Sequence, residues 1–209
     1  MTDATPFDAG AAEYDAWFDR HPDLYRAELA AVRSLLPAGG SGVEIGVGTG
    51  RFAAPLGVAV GVEPSPAMAA QARQRGIEVH EGVAETLPFA DGSLDYAVMV
   101  TVVCFLNDVV RAFREVFRVL KPAGSLIVAF IDRESPMGRQ YQLRKDQSRF
   151  YREATFYSAD EIEAFLREAG FFGFDYRQTL SADATSALNV LEGHGRGGFV
   201  VIRGHKAGG

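Results

Sequence analysis

The chain has 209 residues, 47% hydrophobic and 23% charged, with 21 Lys and Arg against 27 Asp and Glu for a net charge of −6. That composition is globular and excludes a disordered or fibrous chain; the length predicts a single domain, 1–209, whose core needs no covalent staples. The acidic balance argues against a nucleic-acid partner, and the single cysteine, Cys104, excludes an internal disulfide or a thiolate metal cluster.

No metal is expected, and a lone cysteine fits a cytoplasmic location. The longest apolar run, Ala97–Leu106, is interrupted by Thr101 and falls far short of the roughly 20 residues that span a bilayer. The acidic N-terminal segment lacks the basic-then-apolar pattern of a secretory leader.

Phe7–Leu36 reads as helical, forming an N-terminal cap over residues 1–36. Tyr14, Trp17 and Phe18 fall at i, i+3 and i+4, on one helical face. His21-Pro22 breaks the run, because a residue before proline avoids helical angles. A second amphipathic stretch, Leu24–Leu36, ends at the Pro-Ala-Gly-Gly-Ser segment 37–41.

From there short apolar runs alternate with helix-period segments. The expected strands are Val43–Val47, Val58–Val62, Ile77–His80, Asp95–Thr101, Leu126–Ile131, Phe174–Leu180 and Phe199–Ile202. The helices between them are Pro66–Arg75, Val109–Leu120 and Asp160–Glu168, with Ser65 and Ser158 placed as N-caps and Glu161 completing a capping box. Continuous apolar strands imply burial on both faces, so the alternation predicts an α/β doubly wound, mostly parallel sheet. The last two strands have no helix pattern between them and are expected as an antiparallel hairpin at the sheet edge.

The sharpest motif is Val43-Glu-Ile-Gly46-Val-Gly48-Thr-Gly50, a strand running into a glycine turn. Glycines there let the chain turn tightly and bring backbone N–H groups close to a ligand. The dinucleotide fingerprint would need a third glycine at 51, where this chain has Arg51. The next strand ends in Glu63, which a doubly wound sheet sets beside the glycine loop, where a carboxylate can accept both hydroxyls of a ribose.

Six motifs in order resemble a class I S-adenosylmethionine-dependent methyltransferase, similar to the ubiquinone-biosynthesis methyltransferase group. They are Val43–Gly50, Val62-Glu63-Pro64-Ser65, Gly82-Val83-Ala84-Glu85-x-Leu87-Pro88-Phe89, Asp95-Tyr-Ala-Val, Arg118-Val-Leu-Lys121-Pro122-Ala-Gly124 and Glu168-Ala-Gly170-Phe171. The resemblance implies a Rossmann-like methyltransferase with a seven-stranded sheet and S-adenosyl-L-methionine as cofactor, released as S-adenosyl-L-homocysteine. It further implies that Glu44 and the Gly46, Val47, Gly48 and Gly50 backbone hold the methionine end. Glu63 and Pro64 would then meet the ribose, the Ala84-Glu85 turn the adenine edge, and Thr101 the sulfonium. Val83 stands where the family often carries an aspartate acceptor for the adenine amino group.

Methyl transfer from a sulfonium is an in-line displacement with an already activated leaving group, so alignment and exclusion of water do most of the work and no base dyad is required. No catalytic residue is assigned. The segment 132–157 is an aromatic and charged insertion after the fifth strand, expected as a lid over a small-molecule acceptor. Candidate acceptor-side residues are Tyr14, Trp17 and His21 of the cap and Tyr141 and Tyr151 of the insertion. Two alternatives are a non-catalytic S-adenosylmethionine-binding regulatory module and a nicotinamide-dependent oxidoreductase.

Overall fold

The computed structural model describes residues 5–181 and 188–208. The first four residues of the leader reading, part of the segment joining the last two expected strands, and the final glycine lie outside the described residues.

Two helices come first, α1 (Thr5–Arg20) and α2 (Pro22–Leu35), broken at His21 as the proline dictates. Strands and helices then alternate: β1 (Gly42–Ile45), α3 (Ala53–Leu56), β2 (Val60–Glu63), α4 (Pro66–Gln74), β3 (Glu78–Glu81), β4 (Leu94–Val100), α5 (Val109–Val119) and β5 (Leu120–Ile131). Helices α6 (Pro136–Arg144) and α7 (Ala159–Glu168) follow, then β6 (Phe172–Ser181), β7 (Leu191–Glu192) and β8 (Gly197–His205).

The helix starts follow from their caps. Ser65 accepts the Met68 N–H, and Ser158 and Glu161 form the reciprocal capping box. Asp108 and Ser135 cap α5 and α6 in the same way.

The strand order is β3-β2-β1-β4-β5-β8-β6-β7. β1 to β5 pair in parallel, whereas β8 pairs antiparallel with both β5 and β6. One face of the sheet, with Val43, Ile45, Ala97, Met99, Leu126 and Val128, packs in one core with α5 and α7 residues. The other, with Val98, Val100, Ile127 and Ala129, packs with α2, α3 and α4 residues. This two-sided burial is why the central strands read as unbroken apolar runs.

The sheet differs from expectation at its far side. Among the described residues it has eight strands, because Leu191–Glu192 of the 181–198 connection pair with β6 as the short edge strand β7. The hairpin of β6 and β8 is present, but β8 lies inside the sheet between β5 and β6. Phe199–Ile202 are fully buried, and only an interior position covers such a run on both faces. β1 also ends sooner than expected, at Ile45, because Gly46 turns out of the strand at φ 69°.

The order 3-2-1-4-5 reverses direction between β1 and β4. Open α/β sheets bind ligands in the crevice at the carboxyl ends of such a pair. The loops after β1 and β4 are Gly46–Arg51 and the turn beginning at Thr101.

Candidate active site

The glycine loop is fixed by backbone bonds to β2: Gly46 and Val47 N–H both donate to Val62 O, at 2.7 and 3.1 Å. At Gly46 a Cβ would lie 2.4 Å from Val102, which enforces glycine for packing. Gly48 is different. At φ +54° its missing Cβ would project into space where the nearest atom is Tyr14 Cε1 at 4.0 Å. A side chain there would occupy the cleft itself.

Glu63 closes the loop from the end of β2. Its Oε2 accepts the Gly48 N–H and its Oε1 the Ser65 N–H, both at 2.9 Å. The carboxyl is 6% exposed; burial raises its pKa and those two donors oppose the rise. An ionised carboxylate offers about four lone-pair sites, so two remain for a hydroxyl-bearing ligand.

A cleft is lined here by Gly46, Gly48, Glu63, Pro64, Met68 and Thr101, with Phe7, Tyr14 and Phe105 above them. Phe7 and Phe105 meet edge-on with centroids 5.1 Å apart. Thr101 sits at φ 53°, a left-handed conformation that a β-branched residue adopts only under constraint. Its N–H is held by Ala129 O at 2.8 Å, which fixes the end of β4 against β5.

The remaining loop-side candidates stand around the cleft without lining it. Glu44 lies beneath the loop, 2% exposed, with Oε2 lacking a partner and its carboxyl held well above the usual range by burial, despite the Ala53 N–H. Val47 packs into the core, and Gly50 lies against Ala72. Ala84 is buried in the core and Glu85 accepts the Asn107 N–H at 3.0 Å, so its carboxyl is turned toward the loop after β4. Val83 pairs with Thr86 across that turn.

These features fit S-adenosylmethionine: a cradle that a Cβ would fill, a carboxylate at the end of β2 beside it and a buried acid with an unpartnered oxygen behind the loop. Arg51, in place of the third glycine, does not line the cleft. It spans to α1, reaching Asp15 at 2.7 Å and Asp19 at 2.8 Å, while Arg75 also pairs with Asp15 at 2.9 Å. Burial would raise the Asp15 carboxyl, but Arg51 and Arg75 outweigh it and bring it down to about 2.

A second cavity, about 310 Å³, adjoins the first and shares Tyr14 and Thr101 with it. Trp17, Phe18, Phe52, Tyr141, Phe150 and Tyr151 make its walls. Tyr14, Trp17, Tyr141 and Tyr151 thus come together around one space. His21 does not: it stacks on Trp17 at 4.7 Å and its Nδ1 lies 2.9 Å from Trp17 O, outside the lining. The insertion is stitched down by Thr155 N–H to Cys104 O and Arg133 N–H to Tyr157 O. It meets α1 through Phe150, whose ring is 5.6 Å from Tyr14, and through Arg149 with Glu13. Cys104 is buried under it, its thiol pushed up to about 12, which leaves it a small apolar filler and no nucleophile.

Among the lining residues that were not sequence candidates, one is a buried acid. Glu28 of α2 is 9% exposed, makes no hydrogen bond or ion pair among the described residues, and faces the cavity. Burial pushes its carboxyl up to about 8. Its signal in the sequence was register: Glu28, Ala31, Val32 and Leu35 share the buried face of α2, so an acid occupies a core position.

A methyltransferase-domain family model matches residues 43–128. A solved S-adenosylmethionine-dependent methyltransferase from Thermotoga maritima, described as a possible histamine N-methyltransferase, is 49% identical and superposes with a TM-score of 0.93, covering 98% of this chain and all of that one. An uncharacterized protein of Methanocaldococcus jannaschii is 42% identical across 96% of this chain and 98% of its own length.

The chain belongs to the class I S-adenosylmethionine-dependent methyltransferases.

A probable methyltransferase of this kind from Mycolicibacterium smegmatis is 29% identical across 95% of this chain and 74% of its own. The protein is therefore a methyltransferase that uses S-adenosylmethionine. Among its described residues no helix is long and apolar enough to cross a membrane, and no cluster of side chains could hold a metal.

Proposed function

We propose that this methyltransferase transfers its methyl group to a small molecule held in the aromatic cavity between α1, α2 and the 132–157 insertion. The observation that carries the reading is the shared wall. Tyr14 and Thr101 line both the glycine-loop cleft and the 310 Å³ cavity, so an acceptor in the second faces a cofactor in the first. A volume of this size suits a small molecule and excludes a folded macromolecule.

The bound cofactor supplies an activated methyl group on sulfur. Everything else in the reading falls to the chain's own side chains. The Gly48 backbone and Glu63 hold the nucleoside, and Glu44 supports the loop from below. Tyr14 and Thr101 orient the two ligands toward one another; burial keeps the Tyr14 phenol protonated, well above its ordinary pKa, so it acts as a donor. The aromatic walls exclude water, which leaves alignment as the main source of acceleration. The class of acceptor in the Thermotoga neighbour's description, a small nucleophile, is compatible with such a space.

The experiment is S-adenosylhomocysteine release over pools of small nucleophiles, repeated with Ser148→Trp, which plugs the cavity from the insertion side. Turnover with a small molecule, lost in the variant while calorimetric affinity for S-adenosylhomocysteine persists, supports the reading. Turnover only with protein or nucleic acid overturns it. Glu63→Ala is expected to weaken S-adenosylhomocysteine about tenfold to hundredfold, the loss of hydrogen bonds to a charged acceptor. Unchanged affinity would remove Glu63 from the ribose site.

A further inference from the structure

Resting on the assignment of the 310 Å³ cavity to the acceptor, we infer that the acceptor is a small amine with an apolar body, and that Glu28 receives its ammonium group.

The argument begins with what Glu28 lacks. A buried carboxyl normally has donors around it, because an unpaired one loses its hydration for nothing. Glu28 has no donor among the described residues, though it sits on a helix face otherwise made of Ala27, Ala31, Val32 and Leu35. Its one free direction is the cavity. A cation placed there would supply the missing partner.

The rest of the lining selects the kind of cation. The walls are aromatic, Trp17, Tyr141, Phe150 and Tyr151 among them, and ring faces attract ammonium groups while packing against an apolar body. A phosphate or carboxylate would meet Glu28 and no buried cation. The charged and titratable groups around Glu28 are few. From α1 come Tyr14 and, at the exposed rim, Glu13 and Arg20; from the insertion come Tyr141 and Tyr151. Glu13 is engaged by Arg149. Burial raises all three phenols, so they stay neutral. Phe52 of the α3 approach and Ile131 of β5 carry no charge. Glu28 is thus the one acid inside the lining that an ammonium can neutralise.

The same pairing prepares the nitrogen for transfer. The ammonium passes one proton to Glu28, freeing its lone pair. That lone pair forms the N–C bond as the C–S bond breaks, and the C–S bonding pair stays on sulfur. The methylated ammonium carries the charge that the sulfonium loses, and the proton on Glu28 leaves to solvent. Glu28, which lines the same cavity, is the carboxyl placed to take that proton.

The test uses the full chain saturated with S-adenosylhomocysteine, titrated calorimetrically with 2-phenylethylamine and with 2-phenylethanol as its uncharged counterpart, in buffers of different ionisation heat. The amine is expected to bind and the alcohol to bind far more weakly. At pH 7, amine binding should release about one proton, because the ammonium ionises a Glu28 that was protonated in the empty cavity. In Glu28→Gln, which keeps the shape and the neutral state, the release should vanish and affinity fall at least about thirtyfold. Equal amine affinity in the variant, or binding without proton release, overturns the role of Glu28. Binding of the alcohol as tightly as the amine overturns the amine class while leaving the cavity as the acceptor site. A chain that fails to bind S-adenosylhomocysteine at all overturns the underlying reading and this inference with it.

Discussion

The two halves of the site are built by different means. The cofactor half is backbone: a glycine turn tied to Val62 O, a carboxylate clasped by two amide N–H groups, and positive-φ residues at strand ends. The half proposed for the acceptor is side chains: rings of α1 leaning on Phe150, and an acid of α2 with no partner among the described residues. Backbone geometry tolerates few sequences, whereas a wall of rings can be rebuilt one residue at a time.

The largest effect that would separate the halves is expected at Gly48. Gly48→Val puts a branched side chain into the cleft and into a left-handed conformation, with a strain of about 1–3 kcal/mol. Calorimetry should show S-adenosylhomocysteine affinity lowered at least about a thousandfold, about 4 kcal/mol. Retained binding would reduce the glycine to a turn device.

Glu28→Gln should act in the other half and in the opposite direction on stability. A carboxyl whose folded pKa is raised costs nothing while both states are protonated. The cost grows as pH climbs above the ordinary value of 4.5 and is complete near 8. The variant is therefore expected to melt like the parent at pH 4 and higher at pH 8, with a gain at pH 7 of at most about 3 kcal/mol. A melting point that falls at pH 8 would mean that Glu28 has a stabilising partner in the folded chain.

The smallest effect tests the tie between the halves. Arg51→Ala should leave cofactor affinity close to parental but speed amide exchange in α1 by about tenfold, as the cap loosens from the loop. The sign of its pH dependence is fixed by Asp15, which is depressed to about 2. The parent's stabilisation from this pair is present above about 3.8 and is lost as pH falls toward 2, so parent and variant should converge in acid. Exchange confined to other segments would place the tie elsewhere.

The same division decides what could be read from the chain. The strand-turn-helix at Val43–Gly50 and the acid at Glu63 announce themselves because local sequence encodes local backbone. Ser65 and Ser158 are legible as caps for the same reason. The place of β8 was not, since insertion between β5 and β6 is a matter of which strand needs cover on both faces. Nor was β7, two residues long, which β6 alone induces to pair. Tyr14, Trp17, Tyr141 and Tyr151 were grouped from the sequence as acceptor-side candidates, but the contact that joins them was not legible, because Phe150 brings α1 and the insertion together across more than a hundred residues. His21 was drawn to the same wall by its position in the chain, but stacking on Trp17 sets it behind the ring. Glu28 was hidden by its own helix, where an acid among alanines and leucines passes for a surface residue until the helix is docked.

Tyr14 and Thr101 belong to both cavities, and this has a thermodynamic consequence. Under the proposed reading, a cofactor in one and an acceptor in the other would meet the same pair of side chains, so their binding is expected to be coupled. By linkage, whatever factor an occupied cleft applies to acceptor affinity, an occupied cavity must apply to cofactor affinity. Thr101, held at a left-handed φ in both linings, is the residue through which that coupling is expected to pass.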